Sequence, residues 1–226
     1  MPYRNLNYSV VYENLIKEIG FYLINNQKRI IVGISGGIDS ALNTVIARGA
    51  CEYMVKAFPG VKIPIIGRYI GIESNKPEEK ERADSLGKLF CTDYKDIDLT
   101  DQYNVLKDSM ETVELDEKSL KIANGNIKAR LRMIYLRDLA QKHDGILLDN
   151  DNQTEYQLGF WTLDGDVGDI VPLEQLWKTE VYELANYVCE NILTDVNEKA
   201  ALKACIDAIP TDGLGITNSD LDQLGA

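Results

Sequence analysis

The chain has 226 residues, and its 24 Lys and Arg against 36 Asp and Glu leave a formal net charge of −12. That balance disfavours a broad phosphate-binding surface for nucleic acid, and no stretch approaches the roughly 20 apolar residues that would cross a bilayer. Cys51, Cys91, Cys189 and Cys205 lie far apart without CxxC or metal-ligand spacing, and Met1 to Asn5 lack the order of a signal peptide, so a cytoplasmic protein with reduced thiols is expected.

Short apolar runs alternate with helix-period segments, the pattern of a parallel sheet covered by helices. A first helix is predicted from about Tyr8 to Asn25, with Val11, Leu15, Ile19 and Tyr22 at helical spacing. Arg29 to Ile34 is a β-branched run short enough for a buried strand. Ile38, Ala41, Leu42, Val45, Ile46 and Met54 then share one helical face, and Ile63 to Ile70 is a second strand. Ser74 or Asn75 ahead of Pro77 marks the start of a helix that buries Ala83, Leu86 and Phe90. Lys95 to Leu99 reads as a short third strand, Gly125 to Lys142 as a helix, and Gly145 to Leu148 as a further strand. Helices follow over about Trp177 to Asn191 and Glu198 to Ile209, the latter stopped by Pro210. The expectation is one α/β domain over residues 1–226, a doubly wound, mostly parallel sheet of Rossmann-like kind, with ligands beyond the carboxyl ends of its strands.

His143, the sole histidine, stands in Gln141-Lys142-His143-Asp144-Gly145, a helix end followed by a turn, where it complements the helix dipole. Ser-His-Asp and Cys-His chemistry would each have to run through it, so carboxylates, cations and backbone groups are expected to carry the function.

The sharpest signal is Gly33-Ile34-Ser35-Gly36-Gly37-Ile38-Asp39-Ser40, between the first strand and its helix. Paired glycines allow close backbone approach, and successive N–H groups at a helix N-terminus make an anion site. Asp39 would repel phosphate unless a magnesium ion bridges the two. The string is neither a Walker A loop nor a GxGxxG fingerprint.

It resembles instead the pyrophosphate loop of the N-type ATP pyrophosphatases, whose hallmark is Ser-Gly-Gly-x-Asp-Ser. Later segments point to one branch. Asn126-Ile127-Lys128-Ala129-Arg130-Leu131-Arg132-Met133 is similar to the NxxARxRM helix of the ammonia-dependent NAD synthetases. Asn152 to Glu155, Phe160-Trp161-Thr162 with Gly165, Asp166 and Asp169, Pro172-Leu173 leading to Lys178, and Pro210-Thr211 follow in that family's order.

The resemblance implies the roles. Gly33, Ile34, Ser35, Gly36, Gly37, Ile38, Asp39 and Ser40 would hold the phosphates of ATP, with Asp39 and Glu155 on magnesium. Lys178 and Thr211 would contact the phosphate chain, and Asn150 takes the place of the family's ATP-contacting threonine. Arg130 and Asp169 would bind deamido-NAD, Leu163 standing at the neighbouring substrate position. Asp166 lies where the family keeps an acid near the reacting centre to guide ammonia. Asp39, Asp166 and Lys178 would carry the catalysis, in a homodimer that needs neither nucleic acid nor membrane.

The chain departs from the pattern at four places. Leu163 replaces a lysine. Asp149-Asn150-Asp151 replaces Gly-Thr-Gly or Gly-Thr-Asp, losing the threonine. The stretch from Gly165 to Asp169 is one residue shorter, and no basic C-terminal segment follows Pro210-Thr211 before Ala226. These fall on substrate and adenine contacts more than on the pyrophosphate loop. Two alternatives therefore stay open: amidation of a different carboxylate, and an adenine-nucleotide-binding module without turnover.

Overall fold

In a computed structural model, which describes residues 4–73, 75–110, 115–165, 167–211 and 214–216, four parallel strands form one sheet in the order β3-β2-β1-β4. The strands are β1 (Arg29–Gly33), β2 (Ile65–Gly71), β3 (Asp93–Asp98) and β4 (Gly145–Leu148). Parallel pairing requires crossovers, and these are α2 (Ile38–Ala57) after β1, α3 (Pro77–Phe90) after β2, and α4 (Thr100–Asp108) with α5 (Glu117–His143) after β3. α1 (Tyr8–Asn26) precedes the sheet, and α6 (Gln153–Leu158), α7 (Lys178–Asn191) and α8 (Val196–Ile206) follow it.

Strand periodicity divides the core. Ile30 and Val32 point into one cluster with α1, α2, α3, α7 and α8, while Ile31 between them points into a second with α4 and α5. All three are fully buried, so β1 is central and apolar on both faces, as a strand in a doubly covered parallel sheet must be. β1 has β2 on one side and β4 on the other. The chain therefore leaves β1 in opposite directions, which opens a crevice beyond the carboxyl ends of β1 and β4. No helix among the described residues is long and apolar enough to cross a membrane.

The elements differ from the expectation in places. β2 begins at Ile65 rather than Ile63 because Pro64 has no N–H to give the ladder. The third strand occupies Asp93–Asp98, and the polar helix α4 follows it directly. α4 is only nine residues long and mostly polar, and it buries Tyr103 while Val105 is exposed. α5 starts at Glu117, not Gly125, because the Asp116 carboxylate accepts from the N–H (3.0 Å) and hydroxyl (2.7 Å) of Ser119 and so caps it earlier. α8 starts at Val196 for the same reason, with Asp195 accepting from Asn197 N (2.7 Å), and it ends at Ile206.

Between β1 and α2 the chain turns at Gly36, whose φ is +84°. A Cβ there would stand 2.3 Å from the carbonyl oxygen of Glu79 in the first turn of α3. Both the backbone conformation and the close helix demand glycine. Gly36→Ala should therefore lower stability by about 2 kcal/mol or more in urea unfolding, whereas Gly60→Ala, also at positive φ (+96°) but with open space around it, should cost less.

Candidate functional site

A hydrogen-bond ring shapes the turn after β1. Gly37 N–H donates to Ser35 Oγ (3.2 Å), Ser35 Oγ donates to Ser40 Oγ (3.0 Å), and Ser40 Oγ donates to Gly37 O (3.1 Å). Ser35 N–H also donates to Ser40 Oγ (3.1 Å). The two serines thus hold the loop in shape. The N–H groups opening α2 have no intrahelical acceptor and face outward as an anion receiver. From α3, Arg82 Nε donates to Gly36 O (2.8 Å) and brings a guanidinium to the loop.

In the first turn of α2, Asp39 meets the loop after β4. Its Oδ1 accepts from Asn152 Nδ2 (3.0 Å), and its Oδ2 pairs with Lys178 Nζ (2.5 Å) at the start of α7. Glu155 Oε1 stands 3.7 Å from the same ammonium. Glu155 is fixed by a capping box: its Oε2 accepts from Asn152 N (2.8 Å) while Asn152 Oδ1 accepts from Thr154 N (2.9 Å) and Glu155 N (3.3 Å). Lys178 N–H in turn donates to Thr154 Oγ1 (2.9 Å), so the two helix starts are bound together. Burial works against the Lys178 ammonium, but the Asp39 and Glu155 carboxylates outweigh it and hold its pKa above the ordinary lysine value. Two carboxylate oxygens already facing one shared cation are a donor set suited to a hard divalent ion. Among the described residues no three His, Cys, Asp or Glu side chains gather into a metal cage, so such an ion would complete its shell with phosphate oxygens and water.

Asn150 spends its side chain on the protein: its Nδ2 donates to Gly33 O (3.2 Å) and its Oδ1 accepts from Asn43 Nδ2 (3.0 Å). Thr211 Oγ1 donates to Glu79 Oε1 (2.7 Å), placing it beside the phosphate loop through α3. On the other wall, Thr162 Oγ1 donates to Asn126 Oδ1 (2.8 Å) and Arg130 Nε donates to Leu163 O (3.0 Å), joining α5 to the segment after α6. Arg130 is exposed and the Leu163 side chain is 63% exposed. Asp169 is exposed, its carboxylate bonded to Arg137 and accepting from Leu147 N (2.8 Å). Asp166 lies outside the described residues.

These walls enclose a cleft of about 480 Å³ at the carboxyl ends of β1 and β4, which is within the range for a small-molecule site. The phosphate loop, Lys178, Glu155 and Thr211 share it, whereas Asp169, Arg130 and Leu163 are not among its lining. His143 sits at the far end of α5, outside it. Arg82 and Asn43 are site residues that the motifs do not name. Arg82, three residues after Glu79 on α3, carries a local signal only in hindsight, because its partner is the carbonyl of Gly36.

The sequence profile of the family described as NAD synthase matches residues 11–226. The NH(3)-dependent NAD(+) synthetase of Mycoplasmopsis pulmonis is 35% identical, over 95% of this chain and 78% of its own length. That of Finegoldia magna is 32% identical, over 96% and 84%. Among solved structures, the NMN synthetase of Francisella tularensis superposes with a TM-score of 0.80 at 25% identity, over 98% of this chain and 83% of that one. The NH3-dependent NAD synthetase of Campylobacter jejuni, at 22% identity and a TM-score of 0.70, shares the fold over 89% and 93%.

The ion pair itself is testable. Lys178→Met leaves Asp39 and Glu155 facing each other without a cation, which should lower stability by about 2 kcal/mol at neutral pH. The loss should be the same at pH 7.5 and 8.5, since the ammonium that the substitution removes stays charged across that window in the wild type. In the wild type the folded pKa of Lys178 lies above its unfolded value, so its contribution is complete below about 10.4 and is lost only as pH rises further. Urea unfolding of both proteins at the two pH values checks the difference.

Proposed function

The chain belongs to the NAD synthase family, and from that premise we propose that it is an ammonia-dependent NAD synthetase acting in the cytoplasm. A carboxylate oxygen of deamido-NAD attacks the α-phosphorus of ATP and pyrophosphate leaves. Ammonia then attacks the acyl carbon, forming the amide of NAD and releasing AMP. The observation that carries the reading is the cluster of Asp39, Glu155 and Lys178 at the mouth of an intact Gly33–Ser40 loop.

The chemistry asks for charge rather than a covalent nucleophile. A substrate carboxylate must approach a polyphosphate, and both are anions. The α2 N-terminus and the serine-shaped loop receive phosphate oxygens, and Arg82 adds a guanidinium beside Gly36. Asp39 and Glu155 would hold magnesium, which when bound neutralises phosphate charge and polarises the phosphorus under attack. The Lys178 ammonium, kept charged by the same carboxylates, stabilises the departing pyrophosphate. Arg130, assigned to the acceptor by its place in the family motif, stands beside the cleft with its Nε on Leu163 O. Asp166, in the segment between Gly165 and Asp169, takes the ammonia side of the reaction.

One observation favours a second acceptor. Leu163, apolar and exposed, replaces the lysine that the family resemblance implies near the substrate, and the structurally similar Francisella protein is an NMN synthetase. The corresponding acceptor is nicotinate mononucleotide. Pyrophosphate release from ATP and magnesium with ammonium should depend on one of the two pyridine carboxylates. Deamido-NAD giving NAD and AMP supports the primary reading, and preference for the mononucleotide replaces it. Release with neither, despite ATP binding, sinks both. In the active case Asp39→Asn should lower turnover by on the order of a thousandfold.

We also infer a homodimer. Arg130, Ile134 and Arg137 follow one side of α5, where Ile134 is 63% exposed. The two arginines reach the carbonyls of Leu163 and Val167, whose own side chains are exposed. Exposed apolar side chains in this region of α5 suit an interface. Light scattering after size exclusion should give twice the chain mass for the wild type and a monomer for Ile134→Asp.

A further inference from the structure

Asp149, the first residue after β4, is 6% exposed, and each of its polar groups has a partner. Its backbone N–H donates to Ile170 O (2.8 Å), and its carbonyl accepts from Asn43 Nδ2 on α2 (2.7 Å). Its carboxylate spans two segments: Oδ1 accepts from Asp151 N (2.8 Å) and Oδ2 from Gly168 N (2.8 Å). Gly168 lies so close that a Cβ would stand 2.3 Å from Asp149 N. Arg137 grips the same segment from outside, donating to Val167 O (2.7 Å) and pairing with Asp169, whose other oxygen accepts from Leu147 N.

The geometry points to Asp149 as a positioning residue that locks the 167–169 segment against the Asn150–Glu155 segment and thereby couples the two steps of the reaction. This rests on the ligase reading given above. Asp149, Asn150 and Asp151 line the cleft on the carboxylate–ammonium side, and Gly165, Val167 and Gly168 line its other wall. A buried carboxylate is a costly way to close a turn, and here its oxygens are used to join two walls of one site. Two departures from the family pattern meet at this contact: an acid at 149 and a 165–169 segment one residue shorter. The carboxylate supplies the acceptor that fixes the shortened segment. An amide cannot replace it, because its NH₂ would face one of the two N–H donors.

If the walls are held in register, an acyl adenylate formed on the phosphate side meets ammonia. If they are not, water attacks the acyl carbon instead, AMP leaves and the free carboxylate is regenerated. Asp149→Asn should keep its KM for ATP within about twofold and still release pyrophosphate, while AMP exceeds amide product by on the order of threefold or more. A purely structural role would lower both products together and leave their ratio at one. Hydrogen exchange supplies the readout that needs no activity: in Asp149→Asn the Gly168 and Asp169 amides should exchange on the order of tenfold faster, with α7 unchanged. Arg137→Gln removes the second hold on the same segment and should give a smaller excess of AMP. Unchanged amide protection in Asp149→Asn overturns the proposal, and so does lost protection with a product ratio of one. A wild type that releases no pyrophosphate with either acceptor fails the ligase reading instead, and with it the coupling.

Discussion

The pairing of Lys178 with Asp39 joins residues 139 positions apart, and the rest of the site is arranged around it. It brings the N-termini of α2 and α7 to one place, both with their positive dipole ends turned to the cleft. Asp39 and Glu155 set negative charge into that field, and Lys178 balances it. Neither ionic partner is fully exposed: their side chains keep 25% and 15% of their accessible area. An attraction of about 4 kcal/mol at 4 Å and an effective dielectric near 20 is offset by several kcal/mol of desolvation. The cluster is therefore a poor device for stability and a good one for receiving a cation-bound polyanion. Its two carboxylates and one ammonium leave it net negative, and a divalent cation entering it reverses that sign.

Much of this was legible in the sequence, and the physical reason is locality. The phosphate loop announces itself because its demands are met within eight residues: glycine at the positive φ of Gly36, and serines at 35 and 40 that bond each other. β1, β2 and β4 are legible because a strand buried on both faces must be apolar throughout. The capping box from Asn152 to Glu155 is likewise four residues long. What stayed hidden is what is assembled from afar. Asn43 finds Asp149 across 106 residues, Thr211 finds Glu79 across 132, and Arg82 finds Gly36 across 46. No periodicity or motif ties such pairs together. α4 escaped for another reason: at nine mostly polar residues it is short, and Tyr103 is its one buried side chain.

The substitutions at 149–151 make sense once these long-range bonds are in place. Asn150 bridges the carbonyl of Gly33 and the amide of Asn43, so it fastens the loop after β4 to β1 and α2 at the point where phosphate binds. A side chain committed in this way supports the wall and does not reach out from it. Asp149 does the same toward the opposite wall. Burial pushes its carboxyl up, while the N–H groups of Gly168 and Asp151 and the nearby Arg137 oppose that shift. The loop after β4 is thus a beam between two walls.

Charge, not nucleophilicity, then has to do the chemistry. The sole histidine lies at the end of α5, away from the cleft, and the four cysteines are reduced. Burial raises the Cys51, Cys91 and Cys205 thiols to about 12, far above the pH at which a thiolate would be available. Lys178, held above its ordinary pKa, gives up no proton near neutrality and serves as a fixed positive charge. A reaction that fits these parts is one whose difficulty is electrostatic: two anions brought together and an anionic leaving group released. Adenylation of a carboxylate is such a reaction, since both its nucleophile and its electrophile arrive with the substrates. The protein has only to hold them in register and neutralise what repels, and the residues that do so are the acids, the ammonium and the helix ends gathered at the edge of β1.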